Sequence, residues 1–435
     1  MPKPRKSALL FAALCVLCFG AAADSQTAAT NGPTKVEMRH SGDAYQLYVG
    51  GKPFYIKGAG LERADIEKIA EHGGNSFRTW SPRGGEQLLN TAQKNGLYVT
   101  LGLDIGRERQ GFNYNDPQAV ARQLEATRRQ VLRYKDHPAL IIWAIGNELN
   151  LNYENPKVWD AVNGISKMIH QIDPNHLTTT PLAGVNPEVI AELKKRAPDL
   201  DLLAFQTYGD IVNLPHHLKD ADWNGPYIVT EWGATGHWES PKTDWGAPLE
   251  NNSTVKGDLY KMRYETAIAA DPKHCLGSYV FLWGQKQERT PTWYGVFLKS
   301  GEETASVDSL QYDWTGQWPQ ERAPHIDDTW LAGKTASQNI HLKPGQTYPA
   351  RIAAETKSSA ALNYSWEVLR ESSEKTVGGD HEATPVPLPN LIADSSKSEI
   401  QLQTPAQPGA YRLFVYVSDG HGRAGHANIP FYVAP

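Results

Sequence analysis

The sequence predicts a (β/α)8 TIM barrel followed by a small all-β sandwich. From residue 53 onward, strand-like runs alternate with helical ones, the pattern that gives a parallel sheet. The strand-like runs number eight, which is the count that closes such a barrel. After about residue 325 no helical period returns, and short strands separated by Gly, Pro and Ser turns take over.

The first element is the N-terminal segment, with Lys3, Arg5 and Lys6, an apolar run from Ala8 to Phe19, and the small residues Ala21 to Ala23. That is the layout of a secretory signal peptide, residues 1–23, whose apolar core is too short to span a bilayer. Cleavage is expected after Ala23, residues 24–35 read as a flexible tail, and a secreted or periplasmic location follows. Cys15 and Cys18 leave with the signal, and the bulky Phe19 makes Cys18 a poor site for lipid attachment. Cys275 is then the one cysteine retained, which excludes an internal disulfide and a thiolate metal cluster. Next, Val36 to Val49 alternates about a turn at Ser41-Gly42-Asp43, a hairpin expected to cover the barrel floor.

The eight barrel strands are expected at Phe54 to Lys57, Asn75 to Thr79, Tyr98 to Leu103, Leu140 to Ile145, His176 to Thr180, Leu202 to Thr207, Tyr227 to Thr230 and Leu276 to Trp283. Helix starts between them are marked by Asp116-Pro117, Asn155-Pro156 and Asn186-Pro187. In each, the first residue caps free amides and the proline pre-sets φ at the first helical position. Val158, Val162, Ile165, Ile169 and Ile172 recur at helical spacing and give a face to pack on the barrel. The weakest helices are the sixth, Asn213 to Lys219, and the last, Ala305 to Tyr312.

The hairpin and barrel together span 36–325, and the sandwich 326–435. Asn363 to Val368 and Gly409 to Val417 resemble the central strands of an immunoglobulin-like domain, with Tyr411 placed like a tyrosine-corner residue. That domain could bind polysaccharide or merely dock against the barrel, and since no planar row of Trp is recognisable in it, it reads as a spacer.

A formal charge of −5 provides no basic field for a phosphate backbone, so nucleic acid is not an expected partner. The 13 Trp and 19 Tyr suit sugar rings, but a core uses them equally. No H-x-x-x-H, H-E-x-x-H, G-x-S-x-G or phosphate-cradling glycine loop occurs, so neither metal nor other cofactor is expected.

Trp143-Ala144-Ile145-Gly146-Asn147-Glu148 and Ile228-Val229-Thr230-Glu231-Trp232-Gly233 are two strand-forming runs that each lead to a carboxylate. Residues at the C-terminal ends of barrel strands point into the site, so Glu148 and Glu231 open on one rim, across the mouth from each other. A pair of carboxyls about 5 to 5.5 Å apart is what a retaining glycosidase needs. Either glutamate alone reads equally well as a salt-bridge partner. Both together, at the ends of strands four and seven with Gly and Trp beside each, favour the catalytic reading.

Roughly residues 50–320 resemble the catalytic barrels of glycoside hydrolase clan A, most closely the family 2 and family 5 types. The resemblance implies a retaining mechanism with Glu148 as acid/base, Asn147 as the contact to the sugar 2-hydroxyl, and Glu231 as nucleophile. The segment Gly74-Asn75-Ser76-Phe77-Arg78-Thr79-Trp80 is similar to the clan's second strand and puts Arg78 beneath Glu231. Phe205-Gln206-Thr207-Tyr208 implies a hydrogen bond from Tyr208 to Glu231, although Gln206 stands where the clan often has Asn. Val280-Phe281-Leu282-Trp283-Gly284 makes Trp283 the floor of the subsite before the scissile bond. Trp80 and Trp232, on the same motifs, join the expected substrate-binding set.

A guanidinium and a phenol donating to Glu231 would keep it ionised, and that anion would raise the pKa of Glu148 and hold it protonated. The expected substrate is a β-linked poly- or oligosaccharide, with β-glucan foremost. Alternatives are a transglycosylase using the same two glutamates, and a non-catalytic carbohydrate-binding protein on the same barrel. The segments Gly236 to Glu239 and Gly284 to Tyr294 follow rim strands and are candidates for further subsites.

Overall fold

The computed structural model describes residues 32–62, 64–357, 361–374 and 378–435. The expected signal peptide and most of the tail lie outside them. The last tail residues are tied to the barrel: Thr34 Oγ1 donates to the Pro138 carbonyl at 2.7 Å.

The barrel strands are Ile56–Glu62, Ser76–Arg78, Tyr98–Leu103, Leu140–Ile145, a fifth in two pieces (Leu177–Thr179 and Pro181–Ala183), Leu203–Gln206, Tyr227–Glu231 and Cys275–Gly284. All neighbours pair in parallel, and the first strand pairs with both the second and the eighth. The fifth strand breaks at Thr180 because Pro181 has no N–H to continue the ladder. Its first piece pairs with strand four and its second with strand six, so the ring closes through the break.

The first strand is shifted from its expected place, and Phe54 belongs to the floor sheet. The glycines of Gly58-Ala59-Gly60 weaken the strand signal, yet the barrel interior requires them. A Cβ on Gly58 would lie 2.4 Å from the Tyr279 ring, and one on Gly60 would lie 2.8 Å from Trp80.

Each strand is followed by a helix; the sixth (Leu214–Asp220) is short as expected, but the eighth (Ala305–Thr315) is as long as the seventh (Ser253–Arg263), and the shortest is the first (Glu67–Glu71). The carboxylate of Asp116 accepts from the amides of Gln118 and Ala119, and the Asn186 side chain from those of Glu188 and Val189. Asn155 accepts from Lys157 N at 3.1 Å. The expected face of the fourth helix is buried at Val158, Val162, Ile165 and Ile169.

Below the barrel, three antiparallel strands (Val36–Ser41, Ala44–Val49 and Lys52–Phe54) form a sheet. Val36, Leu47 and Val49 pack on Ile56, Ile141, Ile142, Leu202, Ile228 and Leu276, at the N-terminal ends of the barrel strands.

The sandwich has a three-stranded sheet, His325–Leu331, Thr347–Glu355 and Glu399–Gln403. Facing it is a four-stranded sheet, His341–Leu342, Ala424–Val433, Gly409–Ser418 and Asn363–Arg370. Tyr411, buried between the sheets, donates its hydroxyl to the Gln407 carbonyl at 2.9 Å, the bond of a tyrosine corner.

Barrel and sandwich share a buried polar seam. Glu250, after barrel strand seven, accepts from Lys256 Nζ at 2.6 Å, Thr290 Oγ1 at 2.6 Å, Thr292 Oγ1 at 2.8 Å and Asn428 Nδ2 at 2.7 Å. Arg412 of the sandwich donates to the Pro248 carbonyl of the barrel at 2.8 Å. Burial pushes the Glu250 carboxyl up, but the Lys256 ammonium and its other donors overcome this and hold it at about 2.

Removing one member of a buried ion pair strands the other, so Lys256→Met should cost about 3–5 kcal/mol in urea unfolding at pH 7. The depressed carboxyl contributes its full stability above its ordinary value of 4.5 and loses it as pH falls toward 2. Wild-type stability should therefore decline across that window more steeply than that of Glu250→Gln, which a urea series at stepped pH will check.

Candidate active site

The C-terminal rim of the barrel opens into a cleft of about 1160 Å³ whose lining includes Glu148, Glu231, Asn147, Tyr208 and Trp80. The two glutamates have different surroundings. Glu231 ends strand seven and is buried. Its Oε1 accepts from Trp80 Nε1 at 2.7 Å, Gln206 Nε2 at 2.9 Å and Arg78 Nη1 at 3.3 Å, and its Oε2 from the Tyr208 hydroxyl at 2.7 Å. Arg78 and Tyr208 thus stand where the sequence places them.

Arg78 is fully buried and also donates to the Thr230 carbonyl at 3.0 Å and Asn147 Oδ1 at 2.8 Å. Burial lowers its pKa, and the Glu231 carboxylate opposes that shift. Burial, then the Glu231 charge, raises the Tyr208 phenol well above its usual range, so it remains a donor. Gln206 Nε2 also reaches Asn147 Oδ1 at 2.8 Å. With Oδ1 taken twice, Asn147 keeps its Nδ2 hydrogens without an acceptor among the described residues.

Glu148 follows strand four through a turn in which Gly146 has φ 72° and Glu148 itself φ 50°. Its amide donates to the Pro181 carbonyl at 2.9 Å, where strand five is broken, and its carbonyl accepts from Leu151 N at 3.0 Å. Among the described residues, no donor reaches its carboxyl. Burial first, and the Glu231 charge second, push its pKa up to about 8, against the pull of Arg109 and Arg78.

Two expected residues are not in the cleft. Trp232 comes directly after Glu231, just past the end of strand seven, and continuing the alternation of side chains sends it outward, where it packs on Tyr260 and Tyr264 of the helical layer. Trp283 is also outside, against His72, Phe297 and Trp314. The pairing of strand eight with strand one shifts register between Val280 and Trp283, which breaks the period-two relation between Phe281 and Trp283. Phe281 holds the cleft position instead, edge-on to Trp80 at 5.7 Å and Tyr208 at 5.8 Å.

Both loop segments singled out in the sequence line the cleft through His237, Trp238, Glu239, Lys286 and Glu288. Trp238 is 54 % exposed and meets Tyr208 edge-on at 5.4 Å. Glu239 is structural, because the amides of Gly209, Asp210 and Gly236 donate to it at 2.7, 2.8 and 2.7 Å. Sequence reasoning missed Gln206 and Phe281 as cleft residues, although both lie on rim strands. It also missed Gly378, Gly379 and Asp380 of the sandwich, which carried no signal at all.

Residues 45–241 match the family model "Glycosyl hydrolases family 2, TIM barrel domain". The barrel is of the clan A type. A β-glucuronidase of Streptococcus agalactiae is 24% identical over 228 residues, covering 44% of this chain and 37% of the relative. A β-galactosidase of Vibrio cholerae is 30% identical over 156 residues, 31% of this chain and 15% of the relative. The chain thus spans well under half the length of these curated relatives.

Among solved structures, Bacteroides uniformis β-glucuronidase 2, covalently bound to cyclophellitol-6-carboxylate aziridine, aligns at TM-score 0.52 and 15% identity over 92% of this chain and 48% of its own. Bifidobacterium dentium β-glucuronidase, complexed with coumarin-3-O-glucuronide, aligns at 0.51 and 20% identity over 65% and 49%. At such identities the likeness shows the fold alone, and the likeness to clan A rests on the family model.

The clan A cleft makes a direct electrostatic prediction. Glu148 should titrate near 8 by carbon-13 NMR, and in Glu231→Gln its pKa should fall yet stay above 4.5, because burial is the larger cause. Titration near 4.5 in the wild type would contradict this assignment.

Proposed function

We propose that the protein is a retaining β-glycosidase in which Glu231 is the nucleophile and Glu148 the acid/base. The observation that carries this is the asymmetry of the pair. Four donors converge on Glu231, while among the described residues none reaches the Glu148 carboxyl, which burial and its neighbour's charge keep protonated.

In the first step a Glu231 oxygen bonds to the anomeric carbon as the glycosidic C–O bond breaks, and the departing oxygen takes the Glu148 proton. The glycosyl ester leaves Glu231 uncharged, so Glu148, now a carboxylate, becomes a better base. It then removes a proton from water, whose oxygen attacks the anomeric carbon and releases Glu231. Asn147 Nδ2 is suited to a sugar hydroxyl, and the exposed face of Trp238 to stacking on a pyranose.

The relatives are named as β-glucuronidase and β-galactosidase. A neutral glycone suits this cleft better than a uronic acid. Glu62, Asp210, Glu239, Glu288 and Asp380 join the pair in its lining, against Arg83, Arg107 and Lys286, and Lys286 is already held by Glu288 at 2.9 Å. Neutral β-glucans and β-galactosides are therefore the substrates to try first. With the signal peptide expected from the sequence, the site of action is outside the cytoplasm.

A 2-fluoro activated neutral β-glycoside should trap a covalent adduct on Glu231, mapped by mass spectrometry; label on another residue, or inversion seen by NMR, would overturn the mechanism. Glu148→Ala should lose roughly 10²–10⁴-fold in kcat on unactivated substrates and regain turnover with azide on good leaving groups. Since the acid must be protonated, kcat/KM should fall as pH rises through about 8. Trp238→Ala should raise KM by about tenfold, the value of one stacking contact, with a smaller effect on kcat.

A further inference from the structure

The cleft wall beside Glu148 is built by the sandwich. Gly378, Gly379 and Asp380 lie in the connection between the sandwich strands Asn363–Arg370 and Glu399–Gln403 and line the cleft together with Glu148 and Leu151. Asp380 accepts from Arg109 Nη1 at 2.9 Å and Gln110 Nε2 at 3.2 Å, both in the loop after barrel strand three. The Gly379 carbonyl accepts from Lys286 Nζ at 2.7 Å, and Glu382 from the Arg289 amide at 2.6 Å, in the loop after strand eight. The segment is therefore pinned to two separate parts of the barrel rim.

Its glycines make this approach possible. Both lie in the left-handed region, at φ 62° and 70°. A Cβ on Gly378 would come within 2.8 Å of Arg109 Nη2 and 2.9 Å of Leu151, and one on Gly379 within 2.9 Å of Lys286 Nζ. Leu151 is one turn beyond Glu148 and donates its amide to the Glu148 carbonyl.

A glycosidase's general acid protonates the departing oxygen, so the space beside it belongs to the leaving group. We propose that Gly378 to Asp380 form the leaving-group subsite, so that the sandwich takes part in choosing the hydroxyl-bearing sugar or aglycone that departs. This rests on the reading of Glu148 as the acid. Asp380 keeps 43 % of its side chain exposed while anchored to Arg109, which leaves it lone pairs for substrate hydroxyls.

The test uses the full chain and two substrates with the same glycone, an aryl β-glycoside and a β-linked oligosaccharide. In Asp380→Ala the ratio of kcat/KM on the oligosaccharide to that on the aryl glycoside should fall about tenfold, mainly through KM, as expected for one or two lost hydrogen bonds. Asp380→Asn, which keeps size and one acceptor oxygen, should show a smaller fall and decides the matter if the alanine variant is unstable. An unchanged ratio in folded variants of wild-type Tm overturns the subsite. A wild-type protein that cleaves neither substrate refutes the acid/nucleophile reading itself, and this proposal falls with it.

Discussion

A guanidinium with no exposed surface sits at the centre of the barrel mouth, and the arrangement of the cleft follows from satisfying it. Taking such a charge out of water costs several kcal/mol unless it finds an opposite charge and good acceptors. Arg78, on strand two, finds them on strands four and seven, in Asn147, Thr230 and Glu231. Gln206, from strand six, bonds both Asn147 and Glu231. Four strand ends are thereby fixed against one another, with Glu231 at their meeting point. The carboxylate that answers the buried cation is also the one on which Trp80, Gln206 and Tyr208 converge as donors.

The second glutamate has the opposite environment for an equally structural reason. Glu148 leaves strand four in a left-handed turn, a conformation side chains other than glycine rarely adopt. Its amide is held by the carbonyl of Pro181, and Pro181 is also the residue that interrupts strand five. The break in the barrel and the orientation of Glu148 are one feature seen from two sides. Delivered this way, the carboxyl escapes the donors around Glu231 and meets burial and a like charge, the two influences that keep an acid protonated.

Much of this was legible in the sequence. Strands three and four were placed to the residue, because their runs are rich in apolar and strand-forming residues. Strand one was misplaced because Gly58 and Gly60, required by the rings of Tyr279 and Trp80, suppress the strand signal. Arg78, Tyr208, Asn147 and the two glutamates were found from motif order. Trp232 was misjudged although simple alternation after Glu231 turns it outward. Trp283 could not have been judged by alternation, since a register shift on strand eight reverses it relative to Phe281. A β-glucan preference came only from aromatic abundance, and many of those aromatic rings are buried in the core.

The sandwich was the least legible part, because its role depends on contacts between distant stretches of chain. A spacer would need only a small interface. Here the seam buries Glu250, which lies between Glu231 and the helix that follows strand seven, and ties it to Asn428 of the sandwich. Thr290 and Thr292, which donate to the same carboxylate, belong to the loop that carries Lys286 and Glu288 into the cleft. That loop is fixed at its base by the seam and at its tip by Gly379 and Glu382. A loop held at both ends positions its side chains without an ordering cost when a ligand arrives, which is the condition for a precise binding wall. The sandwich is therefore better understood as the support of the cleft than as an appendage to it.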